Sequence, residues 1–600
     1  MSISSRRWLT TREKGGFAEM VFRTREIVGS ASNRCRTVTE KSVVRYRIRL
    51  CSEKAHPSHF FVFQSRKSGV NGVHLNGTEE KMKQWKKVTT IIFLVVLLLP
   101  AIAFADGENT FVVGMEVNYA PFNWSQTTDA DGAVPVENSP GEYANGYDVW
   151  MAKRLAEGLG KTLVIRKMEW DGLSPALTSG KIDAIIAGMS PTPERREVLD
   201  FTEKYYSSDL VMVVKKDGKY ANAQALSDFA GAKITGQLNT FHYEVLDQIE
   251  GVSKQPPMDT FSTMITALSA GSIDGYVSER PGALAAVMAK PELAMVVFAE
   301  GKGFTYDPEN TTVAVGVRKG ETLKDSLNAV LSSISEEERL EAMDHMVALQ
   351  SGEEVAETSF FAQVLAIWKE YAPLFLRGTG ITLLISFLGT AFGLAIGFVV
   401  QVIRTIPTGK KAGIKKGVIR LFQIIGTIYV EVFRSTPMIV QAMLIFYGSK
   451  QFFSVDMNPL FAACLIVSVN TGAYLAETIR GGIDAVDAGQ FEAAHALGLS
   501  HAQQMMYVIL PQAMRAILPS IGNELIVNIK DTSVLNVISV TELFFITKSV
   551  AGSTFQIFQA YFIVAIIYFV LTRLANMVIR SLSRKFSPDV PFSLKSATEV

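Results

Sequence analysis

"GITLLISFLGTAFGLAIGFVVQVI", residues 380–403, carries no charged side chain from end to end. A helix needs about 20 apolar residues to cross the hydrocarbon core of a bilayer, and this run supplies them. Two further runs read the same way, "PLFAACLIVSVNTGAYLA" (459–476) and "FQAYFIVAIIYFVLTRLANMVI" (558–579). Two less uniform spans are expected within 421–448, which carries Glu431, Arg434 and Pro437, and within 516–546, which carries Glu524, Lys530 and Asp531. The sequence therefore predicts an all-α membrane domain of about five transmembrane helices over 371–583, with a cytoplasmic tail at 584–600. Loop charge sets its direction: Arg404, Lys410, Lys411, Lys415, Lys416 and Arg420 crowd the first loop, whereas the turn at 450–458 holds Lys450 as its basic residue. By the positive-inside rule the first loop, the loop 480–512 and the basic tail with Arg580, Arg584 and Lys585 lie in the cytoplasm.

Upstream the pattern changes. Residues 107–350 alternate strand-like runs ("TFVVGMEV", "TLVIRKM", "DAIIAGM") with helical ones such as "DVWMAKRLAEGL", an α/β domain. The polar stretch 351–370, which begins "SGEEVAETS", reads as a linker to the membrane part. Ahead of the domain, "MKQWKKVTTIIFLVVLLLPAIAFA" (82–105) has the basic start, apolar centre and Ala-Phe-Ala end of a secretory signal, so the domain is expected outside the inner membrane. A retained anchor is the competing reading of this run. Residues 1–81 form a basic extension, expected to be disordered or not translated; "TEEKM" (78–82), with purine-only codons for Glu-Glu-Lys, fits a ribosome-binding tract before Met82.

The whole chain has 600 residues with Lys+Arg 59 against Asp+Glu 58 and 48% hydrophobic residues, a balance that points away from nucleic acid and fits a soluble domain joined to a membrane domain. Cys35, Cys51 and Cys464 have neither paired spacing nor neighbouring histidines, so no disulfide framework, metal or cofactor is expected.

"GQFEAAHALGLSHAQQMMYVILPQAMRAILP" (489–519) resembles the cytoplasmic loop of permease subunits in ABC importers: Glu492, Ala493, Ala494, Gly498, Leu510 and Pro511 keep that pattern, while Val508 replaces the usual isoleucine. Physically, alanines favour a short helix of low profile, and Gly498 can end it in the left-handed region. On its own the stretch is equally an ordinary loop helix. "EVFRSTPMIVQ" (431–441), "AYLAETIRGGI" (473–483) and "NIKDTSVLNVISVTEL" (528–543) extend the resemblance to the permeases of polar amino acid importers. In the exported part, "NYAPFNW" (118–124) and "EWDGLSPALTSGKIDAIIAGMSPTPERREVLDFTEKYY" (169–206) resemble the amino acid binding proteins that feed them. The resemblance implies a two-lobed periplasmic-binding-protein fold ahead of the permease, amino acid import, and a homodimer in which each copy supplies half the pathway. No stretch reads G-x-x-x-x-G-K-[ST], so ATP hydrolysis is assigned to a separate cytoplasmic ATPase subunit and the chain is not itself an enzyme.

Carried onto this sequence, the resemblance implies that Arg195 holds the ligand's α-carboxylate with Gly188, Ser190, Thr240 and the amide of Phe241, although Asn239 stands where the family has glycine. Glu279, one methylene longer than the usual aspartate, would meet the α-ammonium. Glu116, Tyr119 and Trp170 would wall the side-chain pocket, and two aromatic faces with a carboxylate suit a cation such as arginine, lysine, ornithine or histidine, with glutamine as the alternative. Each of these residues also has a plain structural reading, as core aromatic, helix cap or solvated charge. Glu431 and Arg434, three apart, would pair on one helix face, touching substrate or only holding the bundle together. A ligand-gated channel on the same receptor fold would need a pore filter of the TVGYG kind between its spans, and the sequence offers none. An exported dehydratase on the same lobes would need a catalytic acid or base aimed at substrate.

Overall fold

The computed structural model describes residues 11–14, 17–21, 45–49, 109–307, 311–349, 359–407 and 414–586. The expected signal at 82–105, most of the linker and the last residues of the tail lie outside the described residues. The chain forms two units, 1–94 and 95–600. In the first, strands Thr11–Lys14, Phe17–Val21 and Arg45–Arg49 pair antiparallel within the extension expected to be disordered or not translated; "RYRIR" alternates basic and apolar residues with the period of a strand.

In the second unit, the α/β part has two five-stranded sheets. The first lobe orders its strands Leu199–Ser207, Thr312–Arg318, Ala184–Ile185, Thr110–Met115 and Thr162–Lys167. The second orders Ser253–Lys254, Lys233–Thr235, Gly275–Glu279, Leu210–Lys215 and Leu293–Val296. Phe111, Val113 and Met115 are fully buried and Val112 nearly so, because helices such as Tyr147–Gly158 and Trp170–Thr178 cover this sheet. The chain passes between sheets at Ser208–Asp209 and returns between Val296 and Thr312, so the lobes are joined by two crossing segments.

The membrane part begins with one helix of 46 residues, Phe360–Thr405, about 70 Å long at 1.5 Å per residue and more than twice the hydrocarbon thickness. The linker expected at 351–370 is therefore helical from Phe360 onward. Its apolar face explains why: Ile367, Tyr371, Leu374 and Phe375 are buried against Leu543, Ile546, Val550 and Ile563. Helices Pro459–Asp484 and Ile557–Phe586 are the other unbroken spans. The two less uniform segments are broken: 416–435 and 438–453 meet at 114° around Pro437, and 501–538 and 543–554 meet at 60°. Counting each bent pair as one span gives up to five crossings.

With lipid on one side and no water to expel, membrane helices associate by close packing and shared polar groups. Gly389, Gly393 and Gly397, four apart, form that contact. A Cβ at Gly393 would lie 2.9 Å from Thr471 Cβ, and one at Gly397 would lie 2.8 Å from the Ala476 amide nitrogen. Beside them Asn528 donates to Thr390 Oγ1 at 2.8 Å and accepts from Thr471 Oγ1 at 3.1 Å, joining three helices.

Candidate ligand site between the lobes

The nine ligand residues expected from sequence all line one narrow pocket between the lobes, together with Ala187, Gln237, His242 and Phe261. Several of them stand at a strand end or a helix start facing the cleft, the usual ligand position in open α/β sheets. Glu116 directly follows strand Thr110–Met115, Trp170 opens helix Trp170–Thr178, and Glu279 ends strand Gly275–Glu279. Gly188 has φ +62° and lies against the Tyr119 ring, 3.1 Å from where a Cβ would sit.

Arg195 lies in the helix Pro193–Val198, whose start is capped by Thr192. Its guanidinium donates to Ser190 O at 2.8 Å in its own lobe and to Asn239 O at 3.1 Å in the other, and packs over the Trp170 ring at 5.1 Å. Burial pulls it down to about 10, which leaves it charged at neutral pH. Asn239 adopts φ +57°, the region where glycine is free and asparagine is tolerated, and donates to Asp171 Oδ1 at 3.1 Å. Thr240 is not free to donate outward in this arrangement: its hydroxyl donates to Gln237 O at 2.8 Å.

Glu279 is held from two sides, by the Tyr119 hydroxyl at 2.6 Å and by His242 Nε2 at 2.8 Å. Burial raises its carboxyl, but the His242 and Tyr119 contacts outweigh that and hold it below the usual carboxylate value. Tyr119 is also stacked between Phe122 of its own lobe, 5.1 Å centroid to centroid, and Phe261 of the other, 4.6 Å. Glu116 behaves in the opposite way. Burial first, and then the nearby carboxylate of Glu169, push it up to about 8. His242 and Phe261 carried no separate signal in the sequence, because their roles depend on which residues face them across the cleft.

Within the membrane part, Glu431 and Arg434 line a second, open cavity with Arg404, Thr427, Val430, Ser435 and Glu477. Instead of pairing with each other as expected, Arg434 packs over the Tyr474 ring at 5.6 Å, and the ion pair there joins Arg404 to Glu477 at 2.6 Å. At the other candidate surface, Ala488–Ala496 is a nine-residue helix and Gly498 follows it at φ +74°. Glu492 and Ala493 are exposed, Ala494 and Leu510 are buried, and Leu497 stands 80% exposed beside them.

Residues 417–588 match the binding-protein-dependent transport system inner membrane components, and 111–345 match the bacterial extracellular solute-binding proteins of family 3. The glutamine transport system permease protein GlnP of Escherichia coli (strain K12) is 35% identical over 221 residues, which is 37% of this chain and 95% of that protein. The chain belongs to the permeases of amino acid ABC importers. Another such permease, the arginine transport system permease protein ArtQ of Bacillus subtilis (strain 168), is 32% identical over 217 residues, 36% of this chain and 94% of its own length. Unlike these permeases taken alone, this amino acid importer permease carries its solute-binding domain on the same polypeptide. Among solved structures, an arginine-bound amino acid ABC transporter substrate-binding protein, AbpA of Streptococcus pneumoniae, is 24% identical with TM-score 0.35, covering 41% of this chain and 98% of that one.

Proposed function

We propose that this chain captures an amino acid with a cationic side chain outside the inner membrane and passes it through its own permease domain, driven by a separate cytoplasmic ATPase. One observation carries the choice of ligand: the pocket holds Glu116 and Glu279, with Glu169, Asp171 and Asp259 close enough to act on Glu116, against Arg195 and the membrane-domain Lys548. Arg195 serves the ligand's carboxylate, Glu279 its ammonium, and the remaining negative field is left for a side-chain cation between Tyr119 and Trp170. The second reading, glutamine, is favoured by Glu116 itself. A carboxyl raised to about 8 is neutral at pH 7, and a neutral carboxyl can both donate to and accept from an amide. The E. coli and B. subtilis relatives are named for glutamine and arginine respectively.

The receptor lies against Asp456, in the turn 450–458 that loop charge assigns to the outer side, and against Ser539, Thr541 and Ser553 near the break between 501–538 and 543–554, which supports an exported receptor. The helix Ala488–Ala496 then lies inside, where its exposed Glu492, Ala493 and Leu497 would enter the ATPase. Five spans supply half a pathway, so two copies assemble. Calorimetric titration of the purified full chain with L-arginine, L-lysine, L-ornithine, L-histidine and L-glutamine tests the ligand, and ATP-dependent uptake into vesicles tests transport. Binding confined to neutral aliphatic amino acids would overturn the pocket assignment.

A further inference from the structure

The first lobe rests on the membrane helices through many contacts. Asn138 donates to Ser539 O at 3.0 Å, Thr541 donates to Asn138 O at 2.7 Å, the Ser125 amide donates to Ser553 Oγ at 2.9 Å, and Lys181 pairs with Asp456 at 2.7 Å. A membrane-domain side chain touches both lobes. Lys548, in the helix Leu543–Thr554, has its ammonium 2.5 Å from Glu169 of the first lobe and 3.5 Å from Asp259 of the second.

Both carboxylates are adjoined to the pocket. Glu169 immediately precedes Trp170, a pocket wall, and also accepts from Asn536 of the membrane domain at 3.3 Å. Asp259 lies just ahead of helix Phe261–Ser269, accepts from Thr263 Oγ1 at 3.1 Å, and its carbonyl accepts from the pocket residue Gln237 at 3.3 Å. The first residue of that helix, Phe261, is the ring stacked on Tyr119 across the cleft. Parting of the lobes would take Phe261 from Tyr119 and Asp259 from Lys548 in one movement, whereas Glu169 would stay with the first lobe and its other anchors. A charge that meets one carboxylate from each moving body favours the arrangement in which both are present.

We propose that Lys548 is a latch that reads lobe closure: it pairs with Asp259 only when the receptor has closed, and so ties occupancy of the pocket to the membrane helices. This rests on the import reading above. Lys548 is a positioning residue, since it acts through Glu169 and Asp259 and not on the ligand. By reciprocity, whatever the latch adds to docking of the closed receptor it also adds to ligand affinity in the full chain.

The test uses the full chain with its ATPase in lipid nanodiscs. ATP hydrolysis is measured with and without a mixture of L-arginine, L-lysine, L-ornithine, L-histidine and L-glutamine, for wild type, Lys548→Met, Lys548→Arg, Asp259→Asn and the Lys548→Met/Asp259→Asn double variant. With ligand at saturation, each neutral single variant is expected to cut ligand stimulation about fivefold or more, the scale of ordinary coupling between sites. Lys548→Arg restores most of it, and the double variant is no worse than Lys548→Met. Wild-type stimulation in Asp259→Asn overturns the latch, because Lys548 would then only anchor the first lobe through Glu169; so does a double variant that loses the product of the two single effects. Asp259 is 57% exposed and its replacement decides the matter even if Lys548→Met fails to assemble. A wild type that ignores the mixture overturns the import reading and the latch together, whereas a responsive wild type with unaffected variants overturns the latch alone.

Discussion

Arg195 and Glu116 show how one pocket sets two charged side chains in opposite conditions. The planar fork of Arg195 already spans the lobes by donating to Ser190 O and Asn239 O, so a ligand carboxylate arriving between them finds donors fixed in place. Arg195→Lys keeps the charge and loses the fork; ligand affinity should fall about 10- to 100-fold, the range for losing one or two charge-assisted hydrogen bonds, as measured by calorimetry. An unchanged affinity would remove Arg195 from the site. Glu116 makes a prediction about pH. With its carboxyl raised to about 8 it carries a proton in the empty pocket at pH 7, and a cationic side chain favours the ionised form. Binding of arginine should therefore release a proton, and its affinity should rise with pH up to about 8 and then level off. Calorimetry in buffers of different ionisation heat counts the protons; no release, or affinity that falls as pH rises, would contradict the cationic reading. In the sequence these residues were found by position within a resembling stretch, and their opposite ionisation was not legible there. It depends first on burial, and for Glu116 then on Glu169, Lys548, Asp259 and Asp171, which come from three separate segments.

Among the elements, the glycine face of Phe360–Thr405 and the short helix Ala488–Ala496 have the clearest consequences. Gly393→Leu places side-chain atoms where Thr471 already stands, and overpacking of this kind costs about 1–3 kcal/mol. Thermal unfolding of the purified chain in detergent should show a lower Tm, and an unaltered Tm would mean the helices part more readily than their contacts indicate. For Ala488–Ala496, reversing the exposed charge by Glu492→Lys should leave the ligand Kd unchanged and lower ligand-stimulated ATP hydrolysis about tenfold or more. Equal stimulation would place the ATPase elsewhere. A short helix ended near Gly498 was legible here, because alanines and Gly498 act locally. The helical start at Phe360 was misread as linker, since its apolar face matters only once Leu543, Ile546 and Val550 stand opposite.

For the molecule as a whole, the receptor and the permease share an interface, so sidedness and assembly are properties of the full chain. Val455→Cys, in the exposed turn after the helix Met438–Phe453, should react with a membrane-impermeant maleimide on intact cells, while Glu492→Cys should react only after permeabilisation. The reverse pattern would invert the proposed topology. Mass measurement in detergent should give two copies of this chain per particle.

Hydrophobic run length, loop charge and strand-helix alternation are short-range properties, and they alone determined that an α/β domain precedes a membrane domain of about five spans. Resemblance to the amino acid binding proteins, and not those runs, named the nine residues that meet in one pocket. Only the tertiary structure decided what those residues experience: that Tyr119 and His242 grip Glu279, that Arg195 bridges the lobes, that the spans around Pro437 and Ser539 are broken, and that Lys548 lies between Glu169 and Asp259. The reason is physical. Coulombic and packing energies depend on separation in space and on exclusion of water, and residues hundreds of positions apart acquire both only when the chain has folded.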